Sequence, residues 1–226
     1  MLASLSAILT GISGPLRARA AWQDPVDQTI PFPKLRWACL LGLAVWFPTY
    51  AVVWGWPNFV QYCDVAVILT VAGVWTGSAL LLSSQAVGSI VINSVWVLDV
   101  AWRLATGHHL IGGTEYMWDA SYPLWIRLLS FYHVAVPLIA LWTVRRTGYH
   151  PRGFLLQAAI SVPVMIASRL LDPAKNINFA HVDPILHISF RPAALHLAIL
   201  LFCLIAVVYW STHRILLRVM PPFPRK

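Results

Sequence analysis

Residues 123–144, PLWIRLLSFYHVAVPLIALWTV, decide the class of fold. The stretch is 22 residues long and almost wholly apolar. A helix of that length rises roughly 33 Å, enough to cross the hydrocarbon core of a bilayer, about 30 Å thick. It nevertheless carries Arg127, Ser130 and His133, with a proline at Pro137. Polar and ionisable groups are expensive at membrane depth, so they mark a partner, a cavity or a site. What His133 faces is therefore the central question for this chain.

Five further apolar runs lie at 37–54, 61–82, 85–104, 153–171 and 192–210. Together they predict an all-α polytopic membrane protein, a bundle of six transmembrane helices. Pro123 and Pro192 open two of the spans, where a missing N–H is harmless. Pro48, Pro137 and Pro163 fall inside spans, where neighbouring helices can satisfy the freed carbonyls. Charged residues make up only 11% of the chain and the mean hydropathy is +0.70, whereas a soluble domain carries about 25% charged residues.

The net charge is +8, yet its distribution argues against a nucleic-acid partner. The basic residues cluster at the ends of the apolar runs, as topology signals and contacts for lipid headgroups do. One set of loops and ends holds Arg17, Arg19, Lys34, Arg36, Arg145, Arg146, Arg152, Arg214, Arg218, Arg225 and Lys226, with only Asp24 and Asp27 as acids. The other holds Arg103, Arg127, Arg169, Lys175 and Arg191, together with Glu115, Asp119, Asp172 and Asp183. The positive-inside rule then puts both termini in the cytoplasm, in the inner or plasma membrane of a cell. An even number of spans agrees.

Residues 1–34 are expected to form an interfacial or disordered extension. Their apolar run precedes Arg17 and Arg19, the reverse of a cleavable signal. Residues 35–214 form the six-span domain and 215–226 a basic, proline-rich tail. Cys39, Cys63 and Cys203 show no CxxC or zinc-type spacing, so neither a metal nor another cofactor is expected.

Polar groups in the spans gather near the outer ends. Cys63 and Asp64 lie near the start of the second span, Asn93 and Asp99 on the third, Ser130 and His133 on the fourth, and His196 on the sixth. Ser130 and His133 are three apart and share a helix face. These groups predict one pocket opening to the outer leaflet. Two long loops, 105–122 and 172–191, lie over that end, and Glu115, Asp119, Asn176 and Asn178 are candidate capping or substrate-binding residues there. Each group also has a structural reading. Asp99 can pair with Arg103 four residues on. Asp64 can pair with Arg127 or favour a helix N-terminus. His133 and His196 can bond neighbouring helices, Cys63 can act as a small hydrophobe, and the two asparagines can form turns. Trp54, Trp56, Trp118, Trp125, Trp142 and Trp210 fit interfacial belts.

The sharpest chemical hypothesis is a Cys63–His133 pair. A thiolate attacks an acyl carbon, a histidine takes the thiol proton, and a carboxylate or amide orients the ring. Asp64, Asp99 and Asn93 are candidates for that third role.

The string QYCDVAVIL at the head of one span, with FYH two spans later, resembles a superfamily of small six-span acyl-handling membrane proteins. It includes the androgen-induced hydrolases, which cleave fatty-acid esters of hydroxy fatty acids, and a transmembrane acyltransferase acting on ether phospholipids. The resemblance implies Cys63 as nucleophile and His133 as base, with membrane lipids as partners and substrates. The strings HLIGGTEYMWD, NINF and WSTH resemble, more closely, an uncharacterised bacterial family of integral membrane proteins.

Three non-enzymatic readings stand beside this one. A transporter would need polar residues through the cytoplasmic half, which is nearly all apolar along the second to fourth spans. A haem or metal site would use His133 and His196 at matching depth. An assembly factor would need no pocket.

Overall fold

A computed structural model describes residues 31–183, 185 and 187–224. Residues 1–30 and the last two residues, where most of the expected N-terminal extension and the tip of the tail fall, lie outside the described part. Among the described residues the chain is helical, with no β-strand.

α1 runs from Pro33 to Val53 and is followed by a 3-10 turn at Trp56–Val60. α2 covers Tyr62–Thr76 and α3 Ala79–Thr106. α4, Leu124–Leu129, and α5, Tyr132–Thr147, form one interrupted rod. α6 spans Gly153–Leu170. α7, Ala193–Phe202, continues through a wide π turn at Cys203–Tyr209 into α8, Trp210–Val219. Five of these units are long and apolar enough to cross a membrane: Pro33–Val53, Ala79–Thr106, Leu124–Thr147, Gly153–Leu170 and Ala193–Val219. The chain has the architecture of a multi-pass membrane protein.

Several boundaries differ from the sequence expectation, each for a local reason. The second apolar run does not continue to residue 82. Gly77 turns the chain with φ of 68°, a left-handed conformation open to glycine, and closes α2 after 15 residues. The Ser78 hydroxyl accepts from the Leu81 amide, so α3 starts at Ala79 and reaches 28 residues. The fourth run breaks at Ser130–Phe131. Pro137 has no N–H to offer the His133 carbonyl, which weakens the turn that holds this histidine. The last helix extends to Val219, into the expected tail. Residues beyond it fold back: Tyr149 donates its amide to the Pro221 carbonyl at 2.7 Å, and the Phe223 amide donates to Tyr149 at 3.1 Å.

α3 is the central helix, packed against α2, α5 and α6 and touching α8. Over half of its most apolar stretch is buried, against about a tenth for α1 and for α7–α8. Its approach to α6 is so close that a Cβ on Gly153 would sit 2.8 Å from the Ser83 backbone carbon. The radial pattern inverts that of a soluble protein. Asp64, Ser83, Ser84, Gln85, Ser89, Asn93, Asp99 and His196 are buried, whereas Leu41, Val52, Leu138, Leu155, Phe202 and Val207 are exposed. Apolar side chains facing outward suit a lipid solvent, in which polar groups must find partners inside.

Candidate functional site

The start of α2 gathers the first half of the site. Asp64 lies in its first turn, where the helix dipole favours a carboxylate. Its side chain is fully buried. Asn58, on the 3-10 turn before the helix, donates to Oδ2 at 2.5 Å, and the Tyr132 hydroxyl donates to Oδ1 at 2.5 Å. Gln61 donates to the Asn58 side-chain carbonyl at 2.9 Å, which fixes that amide. The Cys63 thiol lies 3.9 Å from both Gln61 Oε1 and Asp64 Oδ1, a weak donor between two acceptors.

The Ser130–Phe131 break supplies the second half. The Ser130 carbonyl accepts the His133 amide at 3.1 Å and its Nδ1 at 2.7 Å. A carbonyl only accepts, so Nδ1 carries the proton and Nε2 is the basic nitrogen of the neutral ring. Trp96 of α3 stacks on one face of His133 at 4.5 Å with an interplanar angle of 6°, and Tyr132 packs at 4.1 Å. The ring is thus held by a hydrogen bond and by two aromatic faces. The Ser130 hydroxyl shares a 2.7 Å hydrogen bond with Tyr50 of α1.

Cys63 and His133 both line a small cavity of about 70 Å³. Its other walls are Tyr50, Trp54, Asn58, Gln61, Trp96, Gly113, Tyr116 and Tyr132. Gly113 and Tyr116 come from the 105–122 loop, which thus supplies part of the cavity wall. Trp96 donates to the Tyr116 hydroxyl at 2.9 Å. Burial pushes the Tyr116 phenol up to about 12; it therefore remains a donor at neutral pH. Beside the cavity runs an apolar groove of about 360 Å³ between α1, α2 and α5, bordered by Gly42, Trp46, Val67, Leu129 and Val136. Tyr132 lines both spaces.

Of the residues expected in the site, Cys63 and His133 line the cavity, and Asp64 and Ser130 lie behind its wall, bonded to the lining residues Tyr132 and Tyr50. The others have different work. Asp99 does not pair with Arg103, whose guanidinium lies over Trp118 at 5.7 Å. Its Oδ1 accepts the amides of Leu110, Ile111 and Gly112 at 2.8, 2.7 and 3.0 Å. Its Oδ2 accepts from Thr114 and meets His109 Nδ1 at 2.9 Å. Asp99 is the latch of the capping loop and does not line the cavity. Nor does Asp64 pair with Arg127, which donates to the Met117 carbonyl at 2.9 Å.

Asn93 is buried on α3 and donates to the Ser89 carbonyl at 2.9 Å. His196 Nε2 donates to the Phe179 carbonyl at 3.0 Å, away from the cavity that holds His133. The pair expected for a haem or metal site is not brought to one place. Glu115 and Asp119 flank Tyr116 without lining the cavity. Asp119 accepts the Ser121 amide at 2.8 Å, and hydrogen bonds from Ser121 hold its carboxyl below the usual range.

Asn176 and Asn178 both adopt positive φ, 41° and 51°. Asn176 accepts the amides of His181 and Val182. Asn178 accepts the Tyr62 amide and donates to the Val60 carbonyl and to Ser168, tying its loop to α2 and α6. They shape the second loop rather than contact the cavity.

Sequence reasoning missed the aromatic walls Tyr50, Trp54, Trp96, Tyr116 and Tyr132. Trp54 passed for an interfacial residue. Trp56, Trp125, Trp142 and Trp210, by contrast, are exposed as a belt requires. The N-terminal half of α3 is less apolar than expected, since Ser83, Ser84, Gln85 and Ser89 lie on its buried face.

No protein-family model, curated protein or solved structure matches this chain.

Proposed function

We propose that this is a six-span membrane enzyme that hydrolyses or transfers lipid acyl groups through Cys63 and His133, as the resemblance to the six-span acyl-handling superfamily implies. The observation that carries the reading is the shared cavity. Cys63 from α2 and His133 from α5 line one small polar chamber, and Tyr132 alone belongs to both that chamber and the apolar groove. An ester carbonyl in the chamber with its acyl chain in the groove places polar and apolar parts of a lipid in matching surroundings. His133 Nε2 takes the Cys63 proton, the thiolate sulfur bonds to the carbonyl carbon, and the alcohol leaves with a proton returned from His133. Water or a second alcohol then releases the acyl group from sulfur. Asn58, Tyr132 and Asp64 support Cys63 by fixing the first turn of α2.

The same reading takes α2, with the 3-10 turn before it, as the sixth crossing. Contacts between chain ends support an even count. A Cβ on Gly77 would meet Pro31, the Ser83 hydroxyl accepts the His150 amide at 2.9 Å, and Tyr149 bonds Pro221. The start of α1 and the end of α8 therefore lie at one end of the bundle. Arginine–tryptophan contacts collect there, with Arg36 over Trp37 and Trp75, Arg146 over Trp142 and Arg214 over Trp210. Such a composition suits a cytoplasmic interface, which supports a reading in which the cavity lies near the outer leaflet of the plasma or inner membrane. The test is covalent labelling by an acyl thioester probe, lost in both Cys63→Ala and His133→Ala.

A further inference from the structure

We infer that Tyr116, on the 105–122 loop, is the hydrogen-bond donor that holds the oxyanion formed when Cys63 attacks an acyl carbon. The inference rests on the acyl-transfer reading and names the residue of that site that bears the developing negative charge.

The attack needs such a donor. As the Cys63 sulfur bonds to the carbonyl carbon, one electron pair of the C=O bond moves onto oxygen, while His133 holds the thiol proton. Collapse returns that pair to the C–O bond and expels the leaving group, which takes the proton from His133. A donor already aimed at the oxygen lowers the barrier most in a site that excludes water.

The walls of the cavity narrow the choice. Tyr132 spends its proton on Asp64, and His133 Nδ1 spends its own on the Ser130 carbonyl. Asn58 Nδ2 bonds Asp64, Gln61 Nε2 bonds Asn58, and Tyr50 shares its hydrogen bond with Ser130. Tyr116 differs. Its hydroxyl meets Trp96 Nε1 at 2.9 Å. An indole N–H only donates, so the Tyr116 oxygen accepts and its proton is not used in that bond. Accepting one hydrogen bond strengthens a hydroxyl as donor in the next. Ser130 stands near Tyr116 as a resting acceptor; it is neutral, and a negative oxygen in the chamber is the stronger acceptor.

The loop fixes Tyr116 from both sides. Ahead of it, Asp99 accepts the amides of Leu110, Ile111 and Gly112. Behind it, Arg127 donates to the Met117 carbonyl. The Tyr116 ring also packs against Trp54 at 5.1 Å. The chamber, about 70 Å³, has the volume of two or three waters at roughly 30 Å³ each, so a carbonyl seated there lies close to every wall. Trp96 connects donor and base, since its N–H bonds Tyr116 and its ring stacks on His133.

The test compares two reactions of one thiol in the full-length protein. Acylation of Cys63 by a long-chain acyl thioester passes through an oxyanion; alkylation by iodoacetamide displaces iodide without one. Tyr116→Phe keeps the ring and removes only the hydroxyl. It should slow acylation about a hundredfold and leave alkylation at the wild-type rate. Unchanged acylation overturns the inference and leaves the enzyme reading standing. An equal fall in both reactions also overturns it, because the hydroxyl then serves the thiol or the fold. So does a selective loss of acylation in Tyr50→Phe with none in Tyr116→Phe, which moves the donor to the neighbouring phenol. A wild-type protein whose Cys63 alkylates but does not acylate removes the enzyme reading, and this inference with it.

Discussion

The Tyr132 hydroxyl donates to Asp64 Oδ1 at 2.5 Å across the interface of α2 and α5, while the same side chain walls both the polar cavity and the apolar groove. This contact ties the two helices that bring Cys63 and His133 to one chamber. Tyr132→Phe keeps the wall and removes the hydroxyl, leaving a buried carboxylate one donor short. The variant should lose about 1–3 kcal/mol of stability, seen as a lower Tm in detergent. An unchanged Tm would show that the contact is not made in solution.

Asp99 should behave as a loop anchor. Asp99→Ala removes the acceptor for three backbone amides, the Thr114 hydroxyl and His109 together. The expected loss is about 3 kcal/mol or more, since hydrogen bonds to charged groups are individually worth about 1.5–3 kcal/mol. Hydrogen exchange should accelerate across residues 108–116 and leave α5 protected. Uniform acceleration along the chain would contradict the latch.

Two glycines should respond in opposite ways to alanine. A Cβ on Gly153 would lie 2.8 Å from the Ser83 backbone carbon and 2.9 Å from the Ser84 nitrogen. Backbone cannot yield as a side-chain tip can, so Gly153→Ala should cost about 1–3 kcal/mol. Gly42 has open space around it, and Gly42→Ala should stabilise α1 by up to about 1 kcal/mol. Chemical denaturation in mixed micelles compares the two directly.

Gly42 also borders the groove, and a larger side chain there probes its occupant. Gly42→Leu should leave the fold intact and slow labelling by long-chain acyl probes about tenfold, with short-chain probes unaffected, because a hydrophobic pocket discriminates by roughly 1–3 kcal/mol per methylene-scale change. Equal slowing of both chain lengths would place the acyl chain elsewhere.

The apolar runs made the helical class legible, because about twenty consecutive apolar residues have few uses outside a bilayer. Their ends were less legible. Gly77 lies inside a run that hydropathy alone joins into one span, and only its left-handed turn reveals the break. Cys63, Asp64, Ser130 and His133 could be grouped from their depth along the chain. Asp99 and His196 share that depth, yet each is committed to a loop carbonyl or amide that is distant or invisible in sequence. The aromatic wall was hidden by composition. Among twelve tryptophans, the two lining the cavity carry no sequence mark that separates Trp54 and Trp96 from the belt.

The most direct measurement is labelling of the purified protein by a long-chain acyl thioester probe, followed by peptide mapping. The account predicts acylation of Cys63 in the wild type. It predicts none in Cys63→Ala and at least about a hundredfold slower reaction in His133→Ala, with both variants retaining the wild-type Tm within a few degrees. Labelling at Cys39 or Cys203, or equal labelling of all three proteins, would contradict it.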